Sequence, residues 1–287
     1  MATAAPVAPP DKGPRVGHDQ GKLRGARGQK SARGQKAVQP LRAGEGHSFF
    51  WRRLHSLTGI VPIGAFLVEH IVSNFETWNG PLAYAQQVKF LNGLPLVRVL
   101  EWTFIFIPLL YHALYGVYIA VRGRNNVNVY PWAGNWGYFT QRVTGFIALV
   151  YIGYHVWTQR FSGVHLPTHP GAAFWKVQHE LANPWILAFY VIAMIATCWH
   201  FAYGVWLFAA KWGITPGNSA RKKFGYVCAA GGAALCLMGL IAIYAVVWKY
   251  PNAPEDVMPE QPAGVVMPAP TAPPPGSVNP QQPGGEQ

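Results

Sequence analysis

The sequence predicts an all-α membrane protein of five transmembrane helices, the first four forming a bundle. Three observations predict it. Five runs approach or exceed the roughly 20 mostly apolar residues that a bilayer crossing needs. Only 12% of the 287 residues are charged, against about 25% in soluble domains. Lys and Arg also collect in alternate connections between the runs.

The chain opens on a Gly-, Lys- and Arg-rich arm, residues 1–48, expected to be disordered. It stands directly before the first apolar run, so its charge reads as a topology signal and a contact for anionic lipid. Position thus outweighs the net charge of +12, which alone would suggest nucleic acid. No short apolar run of a secretory signal appears in the arm, so no cleaved segment is expected.

The transmembrane domain, residues 49–250, is expected to hold spans at Arg53–Phe75, Val97–Val121, Val143–Phe161, Pro184–Ala210 and Phe224–Val247. Pro, Gly and Asn mark the connections, among them TWNGPL and SGVHLPTHPG, which read as loops. A Pro-rich tail, residues 251–287, is expected to be disordered. The arm, Arg122, Arg124, Arg142, Lys211 and Arg221–Lys223 all fall on one side of the membrane. The positive-inside rule then puts the N-terminus in the cytoplasm and the C-terminus outside. Cys198, Cys228 and Cys236 lie in apolar runs and read as small packing residues.

An ionisable residue within a span is costly and is by default a functional hypothesis. His70, His112, His155 and His200 occupy the middle or outer half of the first four spans. His112 and His200 precede Arg122 and Lys211 by ten and eleven positions, which sets both about 15 Å from the cytoplasmic helix ends. His70 and His155 lie about 20–25 Å from that side. Two layers follow: an inner pair from spans two and four, and an outer pair from spans one and three. In an up-down bundle those helices are diagonal and face each other across the core. Two neutral imidazoles on either side of a flat macrocycle suit haem iron, so the bundle is expected to enclose two haems.

The repeated stretches YHALYGVY (Tyr111–Tyr118) and WHFAYGVW (Trp199–Trp206) fit this reading. Gly116 and Gly204 follow the inner histidines by one turn, on the same face; lacking Cβ, each lets a porphyrin approach the backbone. Gly59, eleven positions before His70, is expected to clear room beside the inner haem. Small residues also serve helix contacts in membranes, but the matched depths favour haem. His55 has no partner at its depth and reads as interfacial.

FFWRRLHSLTGIVPIGAFLVEH, IFIPLLYHALYGVYIA, QRVTGFIALVYIGYHVWTQR and WHFAYGVWLFAAKWGIT together resemble the di-haem cytochrome b558 anchors of succinate dehydrogenase and fumarate reductase. The resemblance runs from Phe49 to the fifth span; the arm and tail depart from it. It implies a five-helix subunit of a bacterial cytoplasmic membrane that docks flavoprotein and iron–sulfur subunits on the cytoplasmic side. It implies two haems b, with His70 and His155 as ligands of the distal haem and His112 and His200 as ligands of the proximal one. Electrons would pass from the iron–sulfur subunit to a quinone near the outer face, menaquinone being favoured over ubiquinone. No complete active site is expected on this chain. Glu69 and Glu101, near the outer ends of spans one and two, are candidates to relay protons. The alternatives are a haem b anchor of another quinone-linked dehydrogenase or hydrogenase, and a haem-free transporter whose histidines line a path.

Overall fold

The computed structural model describes residues 43–123 and 127–258, with side chains from residue 48. The chain divides into two units, Met1–His47 and Ser48–Gln287. Of the first, only the helix beginning at Ala43 is described. Among the described residues the secondary structure is helical throughout, without strands.

The first long helix is α1 (Ala43–Ile60) running into α2 (Pro62–Asn74). Pro62 has no N–H to give to the preceding turn, and the junction is carried by Val61 N–H donating to the Leu57 carbonyl (2.9 Å). A 3₁₀ turn and Gly80, at φ +106°, lead into α3 (Pro81–Asn92). The second long helix comprises α4 (Val97–Leu100), a π-helical turn at Glu101–Phe106, and α5 (Ile107–Arg122). Pro108 explains the wide turn, because it cannot supply the usual bond to the residue four before it. Then follow α6 (Ala133–Val156), extended by a π turn to Phe161, α7 (Ala173–Leu181), α8 (Pro184–Lys211) and α9 (Gly217–Tyr244), which a π turn extends to Lys249.

Among the described residues, four helices are long and apolar enough to cross a membrane: Ser48–Asn79, Val97–Arg122, Pro184–Lys211 and Gly217–Lys249. α6 matches them in length, with 24 residues before its π turn, but its first half carries Asn135, Thr140, Gln141 and Arg142. Contacts run from α2 to α5, from α5 to α6 and from α6 to α8. Phe201 of α8 lies against Gly64 of α2 and closes the ring. α9 packs outside it, on α8 and α2.

The connections expected as loops hold two helices, α3 and α7, packed on each other at one end of the bundle. The most buried cluster sits beneath them: Tyr84, Phe174, Leu181, Tyr190, Ile243 and Val246. Apolar residues such as Leu110 and Leu114 of α5 remain more than 60% exposed, as lipid-facing positions require. The expected tail begins at 251, yet residues 251–258 lie along α7. Ala253 N–H donates to Gln178 Oε1 (3.1 Å) and Val257 N–H to the Gly171 carbonyl (3.3 Å). The remainder of the tail and nearly all of the basic arm lie outside the described residues.

Candidate functional site

The four span histidines meet in two pairs. His70 of α2 and His155 of α6 stand 5.8 Å apart between ring centres, inclined at 77°. His112 of α5 and His200 of α8 stand 6.3 Å apart at 89°. The first pair is on the side of α3 and α7: His70 lies one turn before Asn74, which accepts from Tyr84 of α3. We call it the outer pair and the other the inner.

Hydrogen bonds fix the tautomers of three rings. His112 Nδ1 is 3.0 Å from the His55 carbonyl, and His200 Nδ1 is 3.0 Å from the Gln141 carbonyl. A carbonyl only accepts, so each Nδ1 carries the proton and each Nε2 keeps a free lone pair. His155 Nδ1 faces the Tyr190 hydroxyl at 3.3 Å, and that hydroxyl donates to Glu180 Oε1 (3.1 Å). With its single proton committed, the tyrosine oxygen accepts from His155, which leaves Nε2 free there too. Around His70, Asn74 Nδ2 donates to the His70 carbonyl (2.7 Å) and lies 3.4 Å from Nδ1.

The inner pair is seated by two glycines. A Cβ on Gly59 would collide with the His112 ring, and one on Gly145 would lie 2.9 Å from His200 Cε1. Gly59 stands one turn beyond His55 and Gly145 one turn beyond Gln141, the residues whose carbonyls bind these same rings. Thr58 and Thr144, each just before its glycine, return their hydroxyls to the carbonyls of the previous turn. The segments LHSLTG and TQRVTG therefore build the same seat twice.

These observations permit a test of fit for haem b. An imidazole nitrogen lies about 2 Å from a coordinated metal, so two rings on opposite sides of one iron stand about 6 Å apart between centres. Both pairs have that spacing, each ring comes from a different long helix, and three free Nε2 lone pairs are fixed as ligation requires. The donor set fits haem. Among the described residues, no group of three or more His, Cys, Asp or Glu side chains gathers to hold another metal.

The remaining expected residues are placed as follows. Gly59 adjoins His112, but a Cβ on Gly116 would lie 3.2 Å from His55 Cε1 and one on Gly204 3.5 Å from Gln141 Nε2. His55 is not solitary: its ring stacks on His112 at 4.1 Å and 14°, with its buried Nδ1 unpartnered. Glu69 is exposed and accepts from Ser73, whose hydroxyl accepts from Gln87 of α3 (3.1 Å). Glu101 pairs with Arg160 at 2.6 Å, tying the start of the second long helix to the end of the third. Lys176 on α7 donates to the carbonyls of Gln159, Ser162 and Val164; burial holds its pKa below the usual lysine value, against the opposing charge of Glu180.

Sequence reasoning missed Gly145, Gln141, Tyr190 and Glu180. Gly145 had a signal, since it precedes His155 by ten positions much as Gly59 precedes His70 by eleven. Glu180 had none, because it lies in a connection read as a loop.

A model of the succinate dehydrogenase/fumarate reductase transmembrane subunit matches residues 124–248. The chain is also 40% identical over 201 residues to the succinate dehydrogenase cytochrome b558 subunit of Bacillus subtilis (strain 168), covering 69% of this chain and 97% of that protein.

Proposed function

This chain belongs to the family of succinate dehydrogenase/fumarate reductase transmembrane subunits, and from that premise we propose how its residues serve the complex. It is a membrane anchor subunit of succinate dehydrogenase, in a family whose role is electron transfer to quinone. The finer reading has α6 as a fifth span, the N-terminus in the cytoplasm of a bacterium and the C-terminus outside. Flavoprotein and iron–sulfur subunits dock on the cytoplasmic face, and succinate reacts on them and not on this chain.

His70 and His155 hold a distal haem b; His112 and His200 hold a proximal one. Haem b supplies one-electron transfer between the iron–sulfur subunit and the quinone, for which menaquinone is favoured. The chain's own residues supply position. The carbonyls of His55 and Gln141 hold the inner imidazoles with Nε2 free, and Gly59 and Gly145 let those rings lie against the backbone. Helical walls keep the site in a medium of low dielectric. Glu69 and Glu101 remain candidates for proton delivery at the quinone end, the first through Ser73 and Gln87, the second from its ion pair with Arg160.

The observation that carries this reading is the pair of ring separations, 5.8 and 6.3 Å, on rings from four different long helices. A dithionite-reduced minus oxidised spectrum of the purified complex, with haem quantified per chain, tests it. Two b haems are expected, with His70→Ala and His112→Ala each removing a different one. A single haem would refute the two-layer assignment. Absence of haem would refute ligation altogether and favour a haem-free transport role for the histidines.

A further inference from the structure

The four rings are not supported alike. Both inner rings donate to neutral main-chain carbonyls, whereas His155 donates to a tyrosine whose own proton goes to a carboxylate. Tyr190 is buried, at 5% exposure. Glu180 engages its second oxygen with Gln159 Nε2, and so faces the tyrosine in a fixed orientation. Lys176 is within electrostatic reach of Glu180, but its ammonium donates to three carbonyls. Among the described residues, Glu180 makes no ion pair.

We infer that Glu180, acting through Tyr190, is a positioning residue for the outer haem: the chain Glu180–Tyr190–His155 makes His155 a more electron-rich ligand and lowers the outer haem's reduction potential without affecting the inner one. The inference rests on the assignment of His70 and His155 as outer ligands. Hydrogen bonds from a ligating imidazole to an acceptor raise its basicity, and a chain of bonds polarises cooperatively at low dielectric. An anionic end favours the oxidised iron, which carries one more positive charge. The inner layer has no such chain. Tyr190 also fixes the ring's tautomer, and Tyr151, stacked on His155 at 5.4 Å, fixes its plane.

A redox titration of the purified complex, followed in the haem absorbance bands, tests this. The outer haem is identified first, as the component missing from His70→Ala. Tyr190→Phe and Glu180→Gln are both expected to move its midpoint to more positive potential, leaving the inner midpoint in place. Because the two residues act in one chain, the double variant should shift no further than the larger single effect. Unchanged outer midpoints in both variants would overturn the inference, as would equal movement of both haems. A shift in Tyr190→Phe alone would overturn the part given to Glu180. If Tyr190→Phe fails to retain the outer haem, Glu180→Gln decides, because its side chain lies on α7 and does not contact the ring. A wild-type complex with no second haem would refute the underlying ligand assignment before any variant is measured.

Discussion

Replacing Gly145 with alanine adds a single methyl group to α6, and the surroundings determine what it does. The added carbon would lie 2.9 Å from His200 Cε1 and 3.2 Å from Nδ1, inside the about 3.5–4.0 Å at which carbon atoms pack comfortably. The ring cannot retreat without lengthening its 3.0 Å bond to the Gln141 carbonyl, which comes from the same helix. Alanine gains about 1 kcal/mol over glycine in a helix interior, while overpacking costs about 1–3 kcal/mol. A net loss of up to about 2 kcal/mol should therefore fall on the inner haem. Gly153, two turns further along α6, provides the control, since a Cβ there meets nothing within 4 Å. Haem content from pyridine haemochrome spectra and thermal unfolding in detergent should separate them. Gly145→Ala loses or shifts the inner haem and keeps the outer one, whereas Gly153→Ala keeps both and unfolds no earlier than wild type. An unperturbed inner haem in Gly145→Ala, or equal damage in both variants, would refute the reasoning.

Two further outcomes follow from the ends of the helices. Asn183 Oδ1 accepts from the Trp185 and Ile186 N–H groups at the start of α8, so Asn183→Ala should cost about 1 kcal/mol, read as a lower unfolding midpoint with both haems retained. Burial raises the Tyr84 hydroxyl on α3 to about 12. A folded-state value above the unfolded one, about 10, means that its contribution is complete below pH 10 and is lost as pH rises toward 12. The two-unit difference corresponds to about 3 kcal/mol. Unfolding midpoints measured from pH 9 to 12 should therefore fall more steeply for wild type than for Tyr84→Phe, and parallel curves would contradict the assignment.

Much of the architecture was legible because the bilayer imposes a simple rule on sequence. The ends expected for the second and fourth long helices lie within a residue or so of those observed. The pairing of the four span histidines was legible through depth, since rise per residue turns sequence separation into height. The α3–α7 cap was not legible. Its helices are short and begin at Pro81 and near Pro170, and their burial depends on partners distant in sequence, such as Ile243 and Val246. For the same reason His55 read as solitary: spacing along one helix gives height, but the stacking on His112 needs the azimuth of two helices. Glu180 escaped because a half-buried carboxylate on a connecting helix looks the same in sequence as a solvated one.

The seat built twice, LHSLTG with its later histidine in the first long helix and TQRVTG with its own in the third, divides the chain into two equivalent hairpins. Each histidine pair takes one ring from each hairpin. A nascent chain therefore holds no complete pair until its third long helix has been made, and the inner pair waits for the fourth. On the proposed ligand assignment, haem capture falls in the second half of synthesis, outer pair before inner. A polypeptide released after the first hairpin carries His70 and His112, which belong to different layers, and has no complete pair at all.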